Sequence, residues 1–106
     1  MSADDGVVVL RAEKSEASLR HLDARLNSDG ALLLTGHDLG EGIPFGDEYE
    51  YFKTIAADDL PRLVALLDGA PGTSVLDVLA SWTGPRSYDL ERLLRESDID
   101  VRTRVV

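Results

Sequence analysis

The stretch Leu19-Arg20-His21-Leu22-Asp23-Ala24-Arg25-Leu26-Asn27-Ser28-Asp29-Gly30-Ala31-Leu32-Leu33-Leu34 decides how the chain folds. Leu19, Leu22 and Leu26 stand at helical spacing, whereas Leu22, Ala24 and Leu26 stand at strand spacing opposite His21, Asp23 and Arg25. Periodicity alone leaves both readings open. Asn27-Ser28-Asp29-Gly30 is a turn sequence, with Gly30 able to take positive φ. The apolar run from Ala31 to Leu34 then reads as a returning strand. The turn favours a hairpin, with a short helix over 19–26 as the alternative.

Working outward from that hairpin, the β-branched run Val7-Val8-Val9-Leu10 predicts a strand within Gly6–Ala12, and the polar segment Glu13–Ala17 predicts a turn. His37–Asp47 carries Gly40, Gly42, Pro44 and Gly46 and reads as a long loop, a kind of segment that often carries function. Glu48–Ile55 alternates as a strand, with Tyr49 and Tyr51 on one face and Phe52 on the other.

The second half has helical periodicity. Ala57 or Asp58 is expected to cap a helix through Leu67, with Pro61 in its first turn and a stripe of Leu60, Leu63, Val64 and Leu67. Asp68-Gly69-Ala70-Pro71-Gly72 stops it. Ser74 with Asp77 suggests a capping box opening a helix that runs to Trp82, and Ser87 is expected to cap a third helix with the stripe Leu90, Leu93 and Leu94. Ile99, Val101, Thr103 and Val105 alternate with charged residues as a closing strand. Strands followed by helices imply one α+β domain over residues 1–106: a mainly antiparallel sheet, an N-terminal meander plus a C-terminal strand, with about three helices on one face. Residues 1–5 are expected to be disordered.

Composition narrows the function classes. The 106 residues hold no cysteine, which excludes disulfides and thiol chemistry. The acidic start Met1-Ser2-Ala3-Asp4-Asp5 lacks a signal-peptide pattern, and no apolar run is long enough to span a bilayer. A cytoplasmic location is the expectation. The formal net charge of −9 repels nucleic-acid phosphates and anionic lipid, so neither nucleic acid nor membrane is an expected partner. Arginine far outnumbers lysine beside abundant Ala, Leu, Asp and Gly, a composition suggesting a GC-rich, actinobacterial genome.

No catalytic set is legible. His21 and His37 are the only histidines, there is no Gly-x-Ser-x-Gly, and His37-Asp38 lacks an evident nucleophile. The glycine pattern from Gly36 to Gly46 matches neither a P-loop nor a dinucleotide fingerprint, and no lysine or arginine lies between Thr35 and Phe52 to hold a phosphate. Its acids lack the calcium-loop spacing, so no metal and no cofactor is expected. What remains is an acidic, tyrosine-bearing segment. His37, Asp38, Glu41, Asp47, Glu48, Tyr49, Glu50 and Tyr51 are the candidate partner-binding residues.

Three segments carry a resemblance: Gly36-His37-Asp38-Leu39-Gly40, Phe45-Gly46-Asp47-Glu48-Tyr49-Glu50-Tyr51, and Asp58-Asp59-Leu60-Pro61-Arg62-Leu63. They resemble a group of small uncharacterised actinobacterial proteins with a Gly-x-Asp-Leu-Gly turn, a Gly-Asp-x-x-Tyr-Glu-Tyr strand and a following Pro-containing helix. The closing segment Tyr88–Val101 is also similar, while Arg86–Leu94 departs from the group's pattern. The likeness covers about the last two thirds of the chain and implies no activity.

The expected function is therefore a non-catalytic protein-interaction module, in its specific form an immunity-like inhibitor of a basic toxin. A small enzyme or ligand-binding domain using the His37–Glu50 segment is one alternative. A structural subunit or homodimer formed through an uncovered strand edge, Val7–Leu10 or Val101–Val105, is another.

Overall fold

The alternation and turns read above become a meander of neighbouring strands. The computed structural model describes residues 6–40 and 48–106. Five strands, β1 (Val7–Lys14), β2 (Ser18–Leu26), β3 (Leu32–Gly40), β4 (Glu48–Ile55) and β5 (Val101–Val105), pair in sequence order. Every neighbouring pair is antiparallel. The turn at 27–30 settles the ambiguous stretch as a strand: Asn27 N–H bonds to Ala31 C=O at 2.8 Å, and Gly30 takes φ of 87°. Leu22, Ala24, Leu32 and Leu34 then share the buried face of the hairpin.

Between β4 and β5 the chain forms a 3-10 turn (Ala57–Asp59) and three helices, α1 (Leu60–Leu66), α2 (Val75–Leu79) and α3 (Arg86–Glu96). All three pack over one face of the sheet, which gives the α+β architecture expected from the order of elements. Leu63, Val64 and Leu67 from the first helical stretch, Val75, Leu76, Val78 and Leu79 from the second, and Leu90 and Leu94 from the third close the core against Leu10, Leu22, Leu34 and Ile55. Among the described residues, no helix is long and apolar enough to cross a membrane.

Several local expectations need correction. Strand β1 continues to Lys14, which shortens the predicted Glu13–Ala17 turn, and β3 continues through His37 to Gly40, which removes the first residues of the predicted loop. Residues 41–47, including Glu41 and Asp47, lie outside the described residues, as does the 1–5 segment expected to be disordered. The helix expected from Ala57 or Asp58 is an α-helix only from Leu60, with Ala57–Asp59 forming the 3-10 turn. Ser74 sits at the N-cap of α2 but makes no side-chain cap bond, so the capping box does not form. Pro85 occupies the N-cap of α3, and Ser87 lies inside the helix with its Oγ donating to Gly84 C=O at 2.6 Å.

Sequence alternation also misses a β-bulge. Val9 pairs with Asp23 and Arg11 with Leu22, leaving Leu10 as an extra residue in β1. A bulge of this kind resets the alternation, so consecutive side chains can face the same side. Leu10 and Arg11 are both buried, at 0% and 3% exposure. The Leu10 carbonyl, displaced from the ladder, accepts from Gly84 N–H at 2.8 Å.

A second close fit occurs where β3 meets β4. Gly36 pairs with Tyr51, and a Cβ at Gly36 would overlap the tyrosine ring. Glycine is therefore needed here for space. Gly36→Ala is expected to lower stability by about 1–3 kcal/mol, as overpacking does. Urea unfolding checks it, and the loss should shrink when Tyr51→Leu is added.

Candidate functional site

Register divides the expected partner-binding residues between the two faces of the sheet. His37, Glu48 and Glu50 point to the face that carries no helix among the described residues, because they alternate with the buried positions of β3 and β4. Asp38, Tyr49 and Tyr51 point to the helix side. Tyr51 is buried and Tyr49 packs against the core with its ring 5.3 Å from that of Tyr51. Tyr51 therefore offers no surface to a partner. Phe52 occupies the opposite face, where the Arg104 guanidinium lies 5.0 Å from its ring.

On the helix-free face the two histidines are cross-strand partners. Each is held by a carboxylate: His21 Nε2 lies 3.0 Å from Asp23 Oδ2, and His37 Nε2 lies 2.7 Å from Glu48 Oε2. Glu50 is the β4 partner of His37. The Glu48 side chain is 65% exposed, so this corner presents negative charge to solvent. At the far end of the same face stand Arg25 and Arg102, with Arg104 beside Phe52. Leu19 and Leu39 lie half-buried beside the acidic corner, and Leu33 and Phe52 lie half-buried toward the basic end. The face is thus acidic at one corner and basic at the opposite end, with half-buried apolar residues beside each.

Under α3 lies a polar cluster that the sequence did not disclose. Arg11, turned inward by the bulge, donates from Nη2 to Glu91 Oε1 at 2.7 Å and from Nε to Ser87 Oγ at 3.0 Å. Tyr51 Oη donates to Glu91 Oε2 at 3.0 Å, and Lys53 Nζ lies 3.4 Å from the same oxygen. The Tyr88 ring covers the Arg11 guanidinium at 3.6 Å, and its hydroxyl donates to Glu13 at 2.7 Å. Ser87, Leu90, Glu91 and Leu94 have i, i+3, i+4 and i+7 spacing, so one inward face of α3 carries both the apolar and the polar contacts. The signal available in sequence was two polar residues, Ser87 and Glu91, set within that apolar stripe.

Electrostatics tie these groups together. Burial works against the Glu91 carboxylate, yet the hydrogen bond and charge of Arg11, with Lys53 and Tyr51, hold its pKa below the ordinary glutamate range. Burial likewise opposes the Arg11 charge, but Glu91 raises its pKa. Burial and the neighbouring Glu91 push the Tyr51 hydroxyl far up, so it remains a donor. Burial also raises the Asp38 carboxyl, against the nearby charge of Arg20 at 3.6 Å.

These arrangements hold protons and charges in fixed places. Among the described residues, no group of three or more acids and histidines is placed to hold a metal ion. No family model, no curated protein and no solved structure matches the chain.

Glu91→Gln or Arg11→Met is expected to cost about 3–5 kcal/mol at pH 7, because either leaves a buried partner uncompensated. The double variant Arg11→Met/Glu91→Leu should cost clearly less than the sum. Glu91 has a lower pKa folded than unfolded, so its contribution is complete above the ordinary glutamate range and is lost as pH falls through the lowered value. Denaturant unfolding from pH 7 to pH 3 should accordingly show the gap between wild type and Glu91→Gln closing in acid.

Proposed function

We propose that this protein is a non-catalytic interaction module that engages a basic protein through the helix-free face of its sheet. In the specific form, it is an immunity-like inhibitor that covers the positive site of a toxin. The observation that carries the reading is the acidic corner of that face: Glu48 and Glu50 beside His37, next to half-buried Leu39 and Leu19, in a chain of net charge −9. Apolar area flanked by charge is the composition of transient protein interfaces. An overall negative field accelerates encounter with a positive partner and makes association salt-sensitive.

Glu48, Glu50, His37 and Phe52 supply the surface, whereas Tyr51 supports it from beneath and Asp38 lies on the helix side. An immunity-like role needs no chemistry from the module itself, since a covered site is an inhibited one.

Affinity capture on the immobilised full chain tests this. The expected result is a basic protein retained at low salt and released by high salt, with retention lost in Glu48→Lys/Glu50→Lys. Capture of no protein, or capture indifferent to both salt and charge reversal, defeats the reading.

A further inference from the structure

Strand β5 ends the sheet, and its outer edge faces no other strand among the described residues. The phase of its hydrogen bonds follows from one contact. Val106 N–H bonds to Glu50 C=O at 2.9 Å, and the register pairs Tyr51 with Val105 and Phe52 with Arg104. Antiparallel ladders alternate bonded and non-bonded pairs, so Arg104 and Arg102 direct their backbone groups toward β4. The N–H and C=O groups of Val101, Thr103 and Val105 therefore point outward from the sheet.

Beside this edge runs a groove of about 360 Å³ between β5 and α3, floored by Lys53 and Glu91 and bounded by Leu94, Arg95, Asp100, Val101 and Thr103. An open strand edge alongside a helix is the geometry in which an extended peptide adds as a further strand. Backbone bonds supply affinity there, and alternate side chains drop into the groove.

The charges at the edge select the occupant. Arg102 and Arg104 are exposed on the helix-free face, and Arg95 makes no ion pair among the described residues. Glu91 is already engaged by Arg11, Tyr51 and Lys53. Among the described residues Arg102 pairs only with Asp100, at 4.0 Å in an exposed pair, a separation that contributes little. The edge is thus locally basic within an acidic protein.

A second copy of the chain fits this edge poorly. Antiparallel self-pairing centred on Thr103 sets Arg102 opposite Arg104 of the copy, twice. Sliding by two residues either way still sets Arg102 or Arg104 against itself. Like charges directly opposite are destabilising.

We infer that the β5 edge and the α3 groove accept an extended acidic peptide segment of a partner protein by strand addition. Its acidic side chains lie opposite Arg102 and Arg104, and the alternate small apolar ones face Leu94, Val101 and Thr103. This surface meets the helix-free face at Phe52, over which Arg104 lies, but it needs neither Glu48 nor Glu50 and selects the opposite charge, so either proposal stands without the other.

Two blocked heptapeptides, Glu-Val-Glu-Thr-Glu-Val-Glu and Lys-Val-Lys-Thr-Lys-Val-Lys, titrated into the isotope-labelled full chain, test it by amide chemical shifts. The expected result is at least tenfold tighter binding of the acidic peptide, with shifts centred on Val101, Thr103, Val105 and the end of α3. Thr103→Pro removes one outward N–H and no bond to β4, so it should keep the fold and lose at least tenfold in binding. Arg102→Glu/Arg104→Glu, at two exposed positions, should reverse the charge preference. Equal binding of the two peptides, shifts elsewhere on the molecule, unchanged preference in the double variant, or a solution dimer broken by Thr103→Pro each overturns the inference.

Discussion

The placement of α3 rests on one buried ion pair, and that pair rests on one extra residue. Without the bulge at Leu10, alternation would carry Arg11 to the helix-free face with Val9. With it, Arg11 enters the interior at 3% exposure and meets Glu91 at 2.7 Å. A guanidinium there is tolerable only because a carboxylate, a hydroxyl and a tyrosine ring surround it. The same bulge leaves the Leu10 carbonyl to accept from Gly84, two residues before α3 begins. One irregularity in β1 thus fixes both the start and the inward face of a helix more than seventy positions later. The pair adds little as a source of net stability, since desolvation offsets much of its Coulombic gain. Its effect is selective: a helix rotated by one position would carry Glu91 off the inward face and leave Arg11 buried and unmatched.

That network explains why the two tyrosines of β4 could not be assigned from sequence. Period-two alternation correctly put Tyr49 and Tyr51 together and Phe52 opposite. It could not say which face was covered, because a strand records only that its faces differ. The covering element lies in the segment from 56 to 100, and the decisive partner of Tyr51 is Glu91, forty positions away. The hairpin at 19–34 was legible because its turn chemistry is local. The bulge was not, because nothing in Val9-Leu10-Arg11 distinguishes it from a regular strand.

Capping was misread for a related reason. Ser74 and Ser87 both stand where a helix opens, and serine favours the cap position. Ser74 makes no cap bond, and Ser87 lies two positions past the N-cap Pro85, where it donates to Gly84 and accepts from Arg11. Local preference supplied the neighbourhood of each helix start, and tertiary bonding chose the residue. The expected interaction site shows the same limit. Its residues fall within one segment, 37–51, but the pleat sends His37, Glu48 and Glu50 to one face and Asp38, Tyr49 and Tyr51 to the other.

The strand order explains why one face carries no helix among the described residues. All three helices fall in a single connection, between neighbouring strands β4 and β5, and a chain that leaves and rejoins adjacent strands in this way covers one side only. The other side keeps a mixture of Leu19, Leu33, Leu39 and Phe52 among charged residues. From strand spacing and rise, five short strands offer on the order of 600 Å² on one face. A stable protein complex buries about 800 Å² per partner. A partner docking flat on the face therefore falls short unless it also wraps an edge of the sheet. The β5 edge, basic and with outward backbone groups, lies next to Phe52 and one strand away from His37. A single large partner would need both surfaces to be matched by opposite charges of its own: basic over Glu48 and Glu50, acidic along Arg102 and Arg104. Such a requirement selects against most proteins that merely carry net positive charge, so specificity can arise from the split charge pattern rather than from the overall −9.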